Sequence, residues 1–281
     1  MENLVFLAVL FAAVCHAGWN ALIKVGLDPL STTALIALGS AVVGVVCLPF
    51  FGMPAVAAWP WLIASAIIHL LYFAALIESY RTGDLGQVYP IARGSAPLMT
   101  AAAGLIFVGE QLSAASWLGI ATLAAGVLLL SARGGREITH VDRGAVGFAF
   151  ATALTICAYS VVDGIGARVS LNPQSYVLWL LIGNALALTP YALWRDNGAV
   201  TKAVRHFWRR GLVGGALQTL SYGIALWAMT LAPIAIVASL RETSVLFGAG
   251  FAVVVLKEPL RTVRIVAALL IVCGLVLIRV G

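Results

Sequence analysis

The chain has 281 residues, with 17 Lys and Arg against 11 Asp and Glu. Charged residues make up 10% of it, whereas they are about a quarter of a soluble domain. Apolar residues make up 62%, and the mean hydropathy is +1.03. Because so few polar side chains cannot cover the surface of a soluble globule, this composition excludes a soluble enzyme, a nucleic-acid-binding protein and a disordered chain.

Ten apolar runs are long enough to cross a membrane as helices, which takes about 20 residues each. They cover residues 3–24, 31–51, 60–80, 86–107, 113–132, 145–168, 173–194, 208–231, 233–256 and 262–280. The runs are continuously apolar and lack the alternation of barrel strands. The first run has no Lys or Arg before it, which favours an uncleaved span over a signal peptide. We therefore predict an all-α integral membrane protein with ten transmembrane helices.

No cofactor or metal centre is predicted. The four cysteines lie far apart inside apolar runs and show neither metal-ligand spacing nor a disulfide framework. Small residues spaced four apart let helices approach closely in lipid. Such pairs occur at Thr100/Gly104, Ala115/Gly119, Thr122/Gly126 and Ser244/Gly248.

Basic residues fall mostly on one side of the predicted spans. Thirteen of the 17 lie in the loops between spans 1–2, 3–4, 5–6, 7–8 and 9–10 or at the span edges next to them. Because basic loops stay in the cytoplasm, this count predicts extracytoplasmic termini and accounts for most of the net charge of +6. Residues 200–210 combine basic and apolar side chains, as in either a short amphipathic helix at the membrane surface or an ordinary basic loop.

The two halves of the chain resemble each other. A shift of 148 residues superposes Glu110 on Glu258, Leu112 on Leu260, Gly126 on Gly274, Arg93 on Arg241 and Ser95 on Thr243; with small gaps, Tyr72 meets Tyr222 and Trp19 meets Tyr159. Each half holds five spans. Duplicated halves with an odd number of spans insert with opposite topology. We therefore predict two inverted five-helix repeats, residues 1–134 and 143–281, an architecture typical of secondary transporters.

Several segments resemble the EamA domain of the drug/metabolite transporter superfamily. They are Tyr72 to Leu76, Gln87-Val-Tyr-Pro-Ile, Gly109-Glu-Gln-Leu and Gly126-Val-Leu-Leu-Leu, with counterparts Glu258-Pro-Leu and Gly274-Leu-Val-Leu in the second half, and His16-Ala-Gly-Trp-Asn in the first span. The resemblance covers the whole chain as two copies. It implies ten helices, a central cavity and export or exchange of small metabolites. Members of this superfamily are often drawn with cytoplasmic termini, which the charge count here opposes.

Arg93 and Arg241 are the sharpest candidate site residues. Each lies inside a span, where an ionisable side chain is costly and usually faces the bundle interior. Pro90 and Pro97 are expected to distort the helix around Arg93, so that helices are interrupted at matching places in both repeats. We predict that the two guanidinium groups attract a carboxylate or phosphonate. The alternative is a structural ion pair with Glu242 or Glu78.

The other candidates are polar or aromatic residues within spans, each of which could instead serve packing or interhelical hydrogen bonds. Together with the two arginines, the predicted substrate-binding residues are Glu242, His16, Trp19, Asn20, His69, Tyr72, Tyr89, Gln218 and Tyr222. The candidates for proton coupling are Glu78, Glu242 and His16, with His69 as the second intramembrane histidine. Asp163, near the end of span 6, is expected to be solvated, and Glu110 and Glu258 are expected to cap helix ends.

The sequence thus favours a secondary transporter of amino-acid-like, anionic or zwitterionic metabolites in the bacterial cytoplasmic membrane. Its expected partners are a small-molecule substrate, the lipid bilayer and protons as a candidate coupling ion, with no nucleic acid. Transport of phosphonates or of organic cations and drugs is the first alternative. An intramembrane enzyme or a non-transporting membrane partner is the second, although no HExxH, GxSxG or P-loop motif is present.

Overall fold

The structure is a computed structural model that describes residues 1–23, 28–82, 85–132, 143–195, 198–254 and 262–281. Its helices are α1 (Asn3–Ile23), α2 (Pro29–Phe51), α3 (Trp59–Thr82), α4 (Leu85–Ala103), α5 (Ala114–Ala132), α6 (Arg143–Val169), α7 (Pro173–Arg195), α8 (Ala199–Leu231), α9 (Ile234–Arg241), α10 (Ser244–Val254) and α11 (Thr262–Val280). A 3₁₀ turn (Val56–Ala58) precedes α3, and a π-helical turn (Gly104–Val108) follows α4.

The described residues confirm an all-α membrane protein. Nine helical segments in this part of the chain are long and apolar enough to cross a membrane, and a shorter apolar helix covers Ala114–Leu130. Their surfaces are apolar as well: Leu4, Leu7 and Phe11 are exposed along one face of α1, whereas Val5 and Val9 are buried on the other. An apolar outer stripe at helical spacing is what lipid requires.

Two spans differ from their prediction. Helix α8 begins at Ala199, nine residues before the predicted span, and kinks at Phe207 (φ −123°, ψ 18°). The basic segment before the kink is therefore helical, and Val200 in it packs on Ala34 of α2 and Ala192 of α7. Span 9 consists of two helices, α9 and α10, separated by a turn at Glu242 and Thr243.

Individual residues explain where two of the helical segments begin or end. Asp28 caps α2 because its carboxylate accepts a hydrogen bond from the Ser31 amide at 2.9 Å, a contact that stabilises a helix by about 1 kcal/mol. Partial burial raises the pKa of this carboxyl, but hydrogen bonds from Ser31 and from the backbone of Leu30 and Asp28 together outweigh it and hold the pKa below its usual value. Gly109 ends the π-helical turn with φ 73°, a left-handed conformation that glycine adopts without strain.

The chain forms two compact units. Unit 1 comprises Met1–Asn3, Leu71–Val161 and Ala232–Gly281, and unit 2 comprises Leu4–Leu70 and Val162–Leu231. Each unit takes segments from both sequence halves. The two units therefore do not correspond one to one with the two repeats that the sequence predicts.

Glycines bring helix backbones together within each unit. In unit 1, a Cβ on Gly119 of α5 would lie 2.7 Å from the Ile278 amide of α11, and one on Gly274 of α11 would lie 2.7 Å from the Gly119 carbonyl. In unit 2, Gly39 of α2 contacts Gly211 and Gly215 of α8 in the same way. Close backbone approach is how helices associate in lipid, where no hydrophobic effect drives them together.

Unit 1 also brings the two ends of the chain together. The Arg279 guanidinium donates hydrogen bonds to the Met1 carbonyl and to the Asn3 side chain. Residues near the first and last positions of the sequence are therefore in direct contact.

Candidate functional site

A largely buried ion pair lies within unit 1. Arg93 Nη1 donates to both carboxylate oxygens of Glu242, at 3.1 and 3.2 Å. The side chains are 15% and 8% exposed, respectively. Arg93 lies eight positions into α4, about 12 Å along the helix. The structural ion pair that the sequence left open as an alternative is thus present.

The ion pair is formed at the break between α9 and α10. The amides of Glu242 and Thr243 donate to the Ser239 and Leu240 carbonyls, both at 3.1 Å, so the chain tightens into a turn after Arg241. Arg241 is the last residue of α9, where the negative end of the helix dipole favours a cation. The break therefore places one cationic and one anionic side chain at the same turn.

The prediction that the helix around Arg93 is interrupted was wrong. Helix α4 runs without a break from Leu85 to Ala103, across both Arg93 and Pro97. Pro97 has no N–H for the Arg93 carbonyl, yet the helix continues and changes only at the π-helical turn that begins at Gly104. A single missing hydrogen bond is tolerated within a membrane helix because neighbouring groups compensate. The interruption is present in the second half only.

Tyr159 lies near this ion pair and contacts a second tyrosine. The rings of Tyr72 and Tyr159 meet edge to face, with centroids 5.9 Å apart and planes at 84°. Tyr159 lies within electrostatic range of Arg93, Arg241 and Glu242. We call this set the arginine cluster; it consists of Arg93, Arg241, Glu242, Tyr72 and Tyr159. The net charge of its three charged side chains is +1. Tyr159 was not among the predicted site residues, although the repeat had matched it with the candidate Trp19.

Three further candidates lie together on α1 in unit 2. The His16 and Trp19 rings meet edge to face at 5.0 Å. The Asn20 side-chain amide donates to the His16 carbonyl at 2.8 Å, within the same helix. The Trp19 indole N–H is buried and has no acceptor among the described residues. A buried donor of this kind is costly, so Trp19 remains a candidate for contact with a substrate acceptor.

Gln218, Tyr222 and His69 make hydrogen bonds inside unit 2. Ser40 of α2 donates to the Gln218 side chain at 2.6 Å, and Tyr222 donates to the Asp163 carboxylate. His69 Nδ1 lies 3.1 Å from the Ser65 hydroxyl. Gln218 and Tyr222 thus make the interhelical bonds that were their alternative role, and their part in binding substrate stays a prediction.

The expectation that Asp163 is solvated was wrong, because this side chain is fully buried. Tyr176 of α7 donates to Oδ1 at 3.0 Å and Tyr222 of α8 donates to Oδ2. Ser65 also hydrogen-bonds this carboxylate, and His69 lies within electrostatic range of it. A carboxylate thus joins four helices of unit 2.

The capping role predicted for Glu110 is confirmed. Its carboxylate accepts from the Ile234 amide at 2.8 Å and the Ala235 amide at 3.4 Å, so it caps α9, from the other half of the chain. A charged cap stabilises a helix start by about 1 kcal/mol. Glu258, and the side chains of Glu78 and Tyr89, lie outside the described residues.

Comparisons with known proteins point to one family. The sequence model of the EamA-like transporter family matches residues 3–132 and again residues 143–280. A Sinorhizobium sp. protein named as an uncharacterized transporter in the cobO 3' region is 41% identical over 69 residues. That match covers 25% of this chain and 45% of the relative, so the chain spans less than half of the relative's length. A crystal structure described simply as that of a protein has a TM-score of 0.76 at 20% identity, over 99% of both chains, which is a likeness of fold.

Proposed function

Because the chain belongs to the EamA-like transporter family, we propose that it is a secondary transporter of small anionic or zwitterionic solutes. Amino-acid-like compounds fit this class, and the protein would act as an exporter or exchanger by alternating access. The observation that carries the proposal is the arginine cluster, with two arginines and one glutamate inside membrane spans. Its charges sum to +1, so an anionic group on the solute would neutralise them.

Energetics favour a solute over a purely structural role for this cluster. Ionisable groups inside a membrane are costly and usually mark a transport pathway. A buried ion pair by itself contributes little, because desolvation offsets most of the attraction between its charges. Guanidinium groups also match the two oxygens of a carboxylate or phosphonate geometrically. We therefore assign Arg93 and Arg241 to solute binding.

The ion pair suggests how binding drives a conformational change. A solute carboxylate that approaches Arg93 competes with Glu242 for the same guanidinium Nη1. Glu242 then becomes available to a solute ammonium group, which suits a zwitterion. Since Glu242 belongs to the turn between α9 and α10, its release would alter the one break in this span. We propose this exchange of partners as the first step of transport.

The duplicated sequence supports alternating access. We propose that residues 1–134 and 143–281 are inverted repeats, because each contains an odd number of spans. Two halves of this kind can exchange conformations, so that a single site opens first to one side of the membrane and then to the other. Export and exchange both follow from such a cycle.

The proposed substrate class is tested by flux into proteoliposomes. A panel of amino acids, aminophosphonates and organic cations should show saturable counterflow for the first two classes and none for the cations. Arg241→Gln should raise KM at least about tenfold, since a charged hydrogen bond contributes about 1.5–3 kcal/mol. The matched control is Arg195→Gln, because Arg195 is exposed and bonds only the Tyr191 hydroxyl of its own helix in the described structure, at 2.9 Å. Saturable flux of cations, or an unchanged KM for Arg241→Gln, contradicts the proposal.

We further propose that the protein spans the bacterial cytoplasmic membrane with both termini outside. In a variant without native cysteines, a cysteine introduced at Gly281 should react with a membrane-impermeant maleimide in intact cells. A cysteine at Arg205, which is exposed on the basic segment of α8, should react only after lysis. The reverse labelling pattern would place the termini in the cytoplasm.

A further inference from the structure

We propose that Asp163 is a proton-binding site that couples transport to a proton gradient, an inference that rests on the transport function proposed above. None of the sequence-derived candidates for coupling included this residue. The proposal is carried by the position of the Asp163 carboxylate, which is fully buried in unit 2 and held by hydroxyl groups from three other helices.

The surroundings of Asp163 are built for a single carboxylate. Gly166, three residues later on α6, leaves room for the Tyr176 ring, because a Cβ there would lie within 3.0 Å of several ring atoms. The Tyr176 hydroxyl thereby reaches Oδ1. Tyr222 on α8 reaches Oδ2, the second oxygen, and Ser65 on α3 contacts the same group.

Protonation changes this arrangement in a defined way. An ionised carboxylate only accepts hydrogen bonds, so donors from three helices can all point at it. A protonated carboxyl carries a donor of its own and accepts less, so one hydroxyl must reverse its bond or turn away. Hydroxyl groups can do both by rotation. A proton on Asp163 therefore rearranges the hydrogen bonds between α6 and the helix that carries this hydroxyl, inside one unit.

Other titratable groups lie on α6 and on the helices packed around Asp163. In the described structure, those facing Asp163 are His69 on α3, Tyr176 on α7 and Tyr222 on α8. On α6 itself, Arg168 donates to the Met229 carbonyl at 2.9 Å. Helix α1 adjoins α8 through the bond from Ser221 to the Ala12 carbonyl, and its His16 ring rests on Trp19.

His69 is suited to exchange this proton with Asp163. Its Nδ1 donates to the Ser65 carbonyl at 2.9 Å and lies 3.1 Å from the Ser65 hydroxyl, which also bonds the Asp163 carboxylate. A serine hydroxyl both donates and accepts, so it can connect an imidazole with a carboxyl group. Glu242, by contrast, is engaged by a guanidinium, which keeps its own proton.

Two measurements test the site. Infrared difference spectra of the purified protein in lipid, recorded through a pH titration, should show a carboxylic C=O band that Asp163→Asn removes. In proteoliposomes with trapped pyranine, a pH gradient should drive accumulation of the solute found in the flux panel. The ratio of gradient-driven uptake to counterflow should fall at least about tenfold in Asp163→Asn, and Asp163→Glu should restore part of it. Tyr222→Phe, which keeps the carboxyl and loses one donor, should shift the midpoint of the infrared titration.

Ser221→Ala is the matched control. It removes a buried interhelical hydrogen bond of 2.8 Å on α8 but no titratable group, so both the band and the flux ratio should remain as in the wild type. A band that persists in Asp163→Asn, or an unchanged flux ratio, overturns the inference. Wild-type counterflow that ignores the pH gradient overturns it too, while leaving the proposed transport function intact. Loss of the band without flux of any solute supports the proton site and contradicts the transport proposal instead.

Discussion

Replacing Arg93 with glutamine is expected to abolish saturable flux of anionic and zwitterionic solutes and also to destabilise the protein. The change removes the partner of Glu242, whose side chain is 8% exposed. Breaking a buried ion pair by removing one partner costs about 3–5 kcal/mol, because the remaining charge stays buried. It also removes one of the two cations that we assign to the solute. Proteoliposome flux and the midpoint of thermal unfolding in detergent measure the two effects.

The double replacement Arg93→Gln with Glu242→Gln separates binding from stability. Both charges of the pair are then absent, so the net charge of the cluster stays at the wild-type +1 and the unfolding midpoint should return close to that of the wild type. Flux should stay absent, because the solute still lacks its guanidinium. A double variant that transports like the wild type would show that Arg93 serves structure alone and would refute its assignment to the solute.

Glu242→Gln alone completes this cycle. It leaves Arg93 and Arg241 in place and changes the net charge of the three groups from +1 to +2. Simple anions should therefore bind more tightly, whereas zwitterions should lose the carboxylate that we assign to their ammonium group. The ratio of KM for an amino acid to KM for the matching organic acid is expected to rise.

Most of the fold could be predicted because length and hydropathy determine membrane helices almost directly. Ten apolar runs and their turn signals indicated the helices, and each run corresponds to a helix or helix pair in the described chain. The observed break at Glu242 and Thr243 lies in a polar stretch of the sequence. Helix α4 was expected to be interrupted at its prolines, but it is continuous. Proline removes one hydrogen bond, and tertiary contacts decide whether the helix then breaks.

The candidate site was predicted less completely, since a single sequence does not say which face of a helix is buried. Arg93, Arg241 and Glu242 were recognised because charges within spans are rare. Asp163 was expected to be solvated because it lies near the end of the predicted span 145–168. In the structure it lies six positions before the last residue of α6, Val169. Its burial depends on α7 and α8 meeting that face of α6 through Tyr176 and Tyr222, which is a long-range contact that spacing along the chain does not reveal.

The spacing of glycines in the sequence also predicted the helix contacts only in part. Of the small-residue pairs singled out in the sequence, Gly119 and Gly126 pack tightly against α11, whereas a Cβ on Gly248 would contact nothing within 4 Å. The close backbone approaches in unit 2, of Gly39 to Gly211 and Gly215, involve none of these pairs. Glycine and alanine are so common in membrane helices that their spacing alone does not identify the helix interface.

Gly215→Ala is expected to be a strongly destabilising methyl addition in unit 2. The new Cβ would come within 3.0 Å of the Gly39 backbone on α2, and backbone atoms cannot move aside as a flexible side chain can. Overpacking of this kind costs about 1–3 kcal/mol and sometimes more. The displaced helices would also strain the bond of 2.6 Å from Ser40 to Gln218. The thermal unfolding midpoint of the purified protein in detergent should fall accordingly.

Gly183→Ala provides the matched control. It adds the same methyl group to a helix of the same unit, α7, but nothing lies within 4 Å of its Cβ. Because alanine favours a helix over glycine by about 1 kcal/mol, this variant should unfold at the wild-type temperature or slightly above it. If Gly215→Ala and Gly183→Ala unfolded at the same temperature, the close contact between α2 and α8 would not contribute to stability. A lower midpoint for Gly215→Ala alone would instead show that backbone contact, and not helix propensity, holds these two helices together.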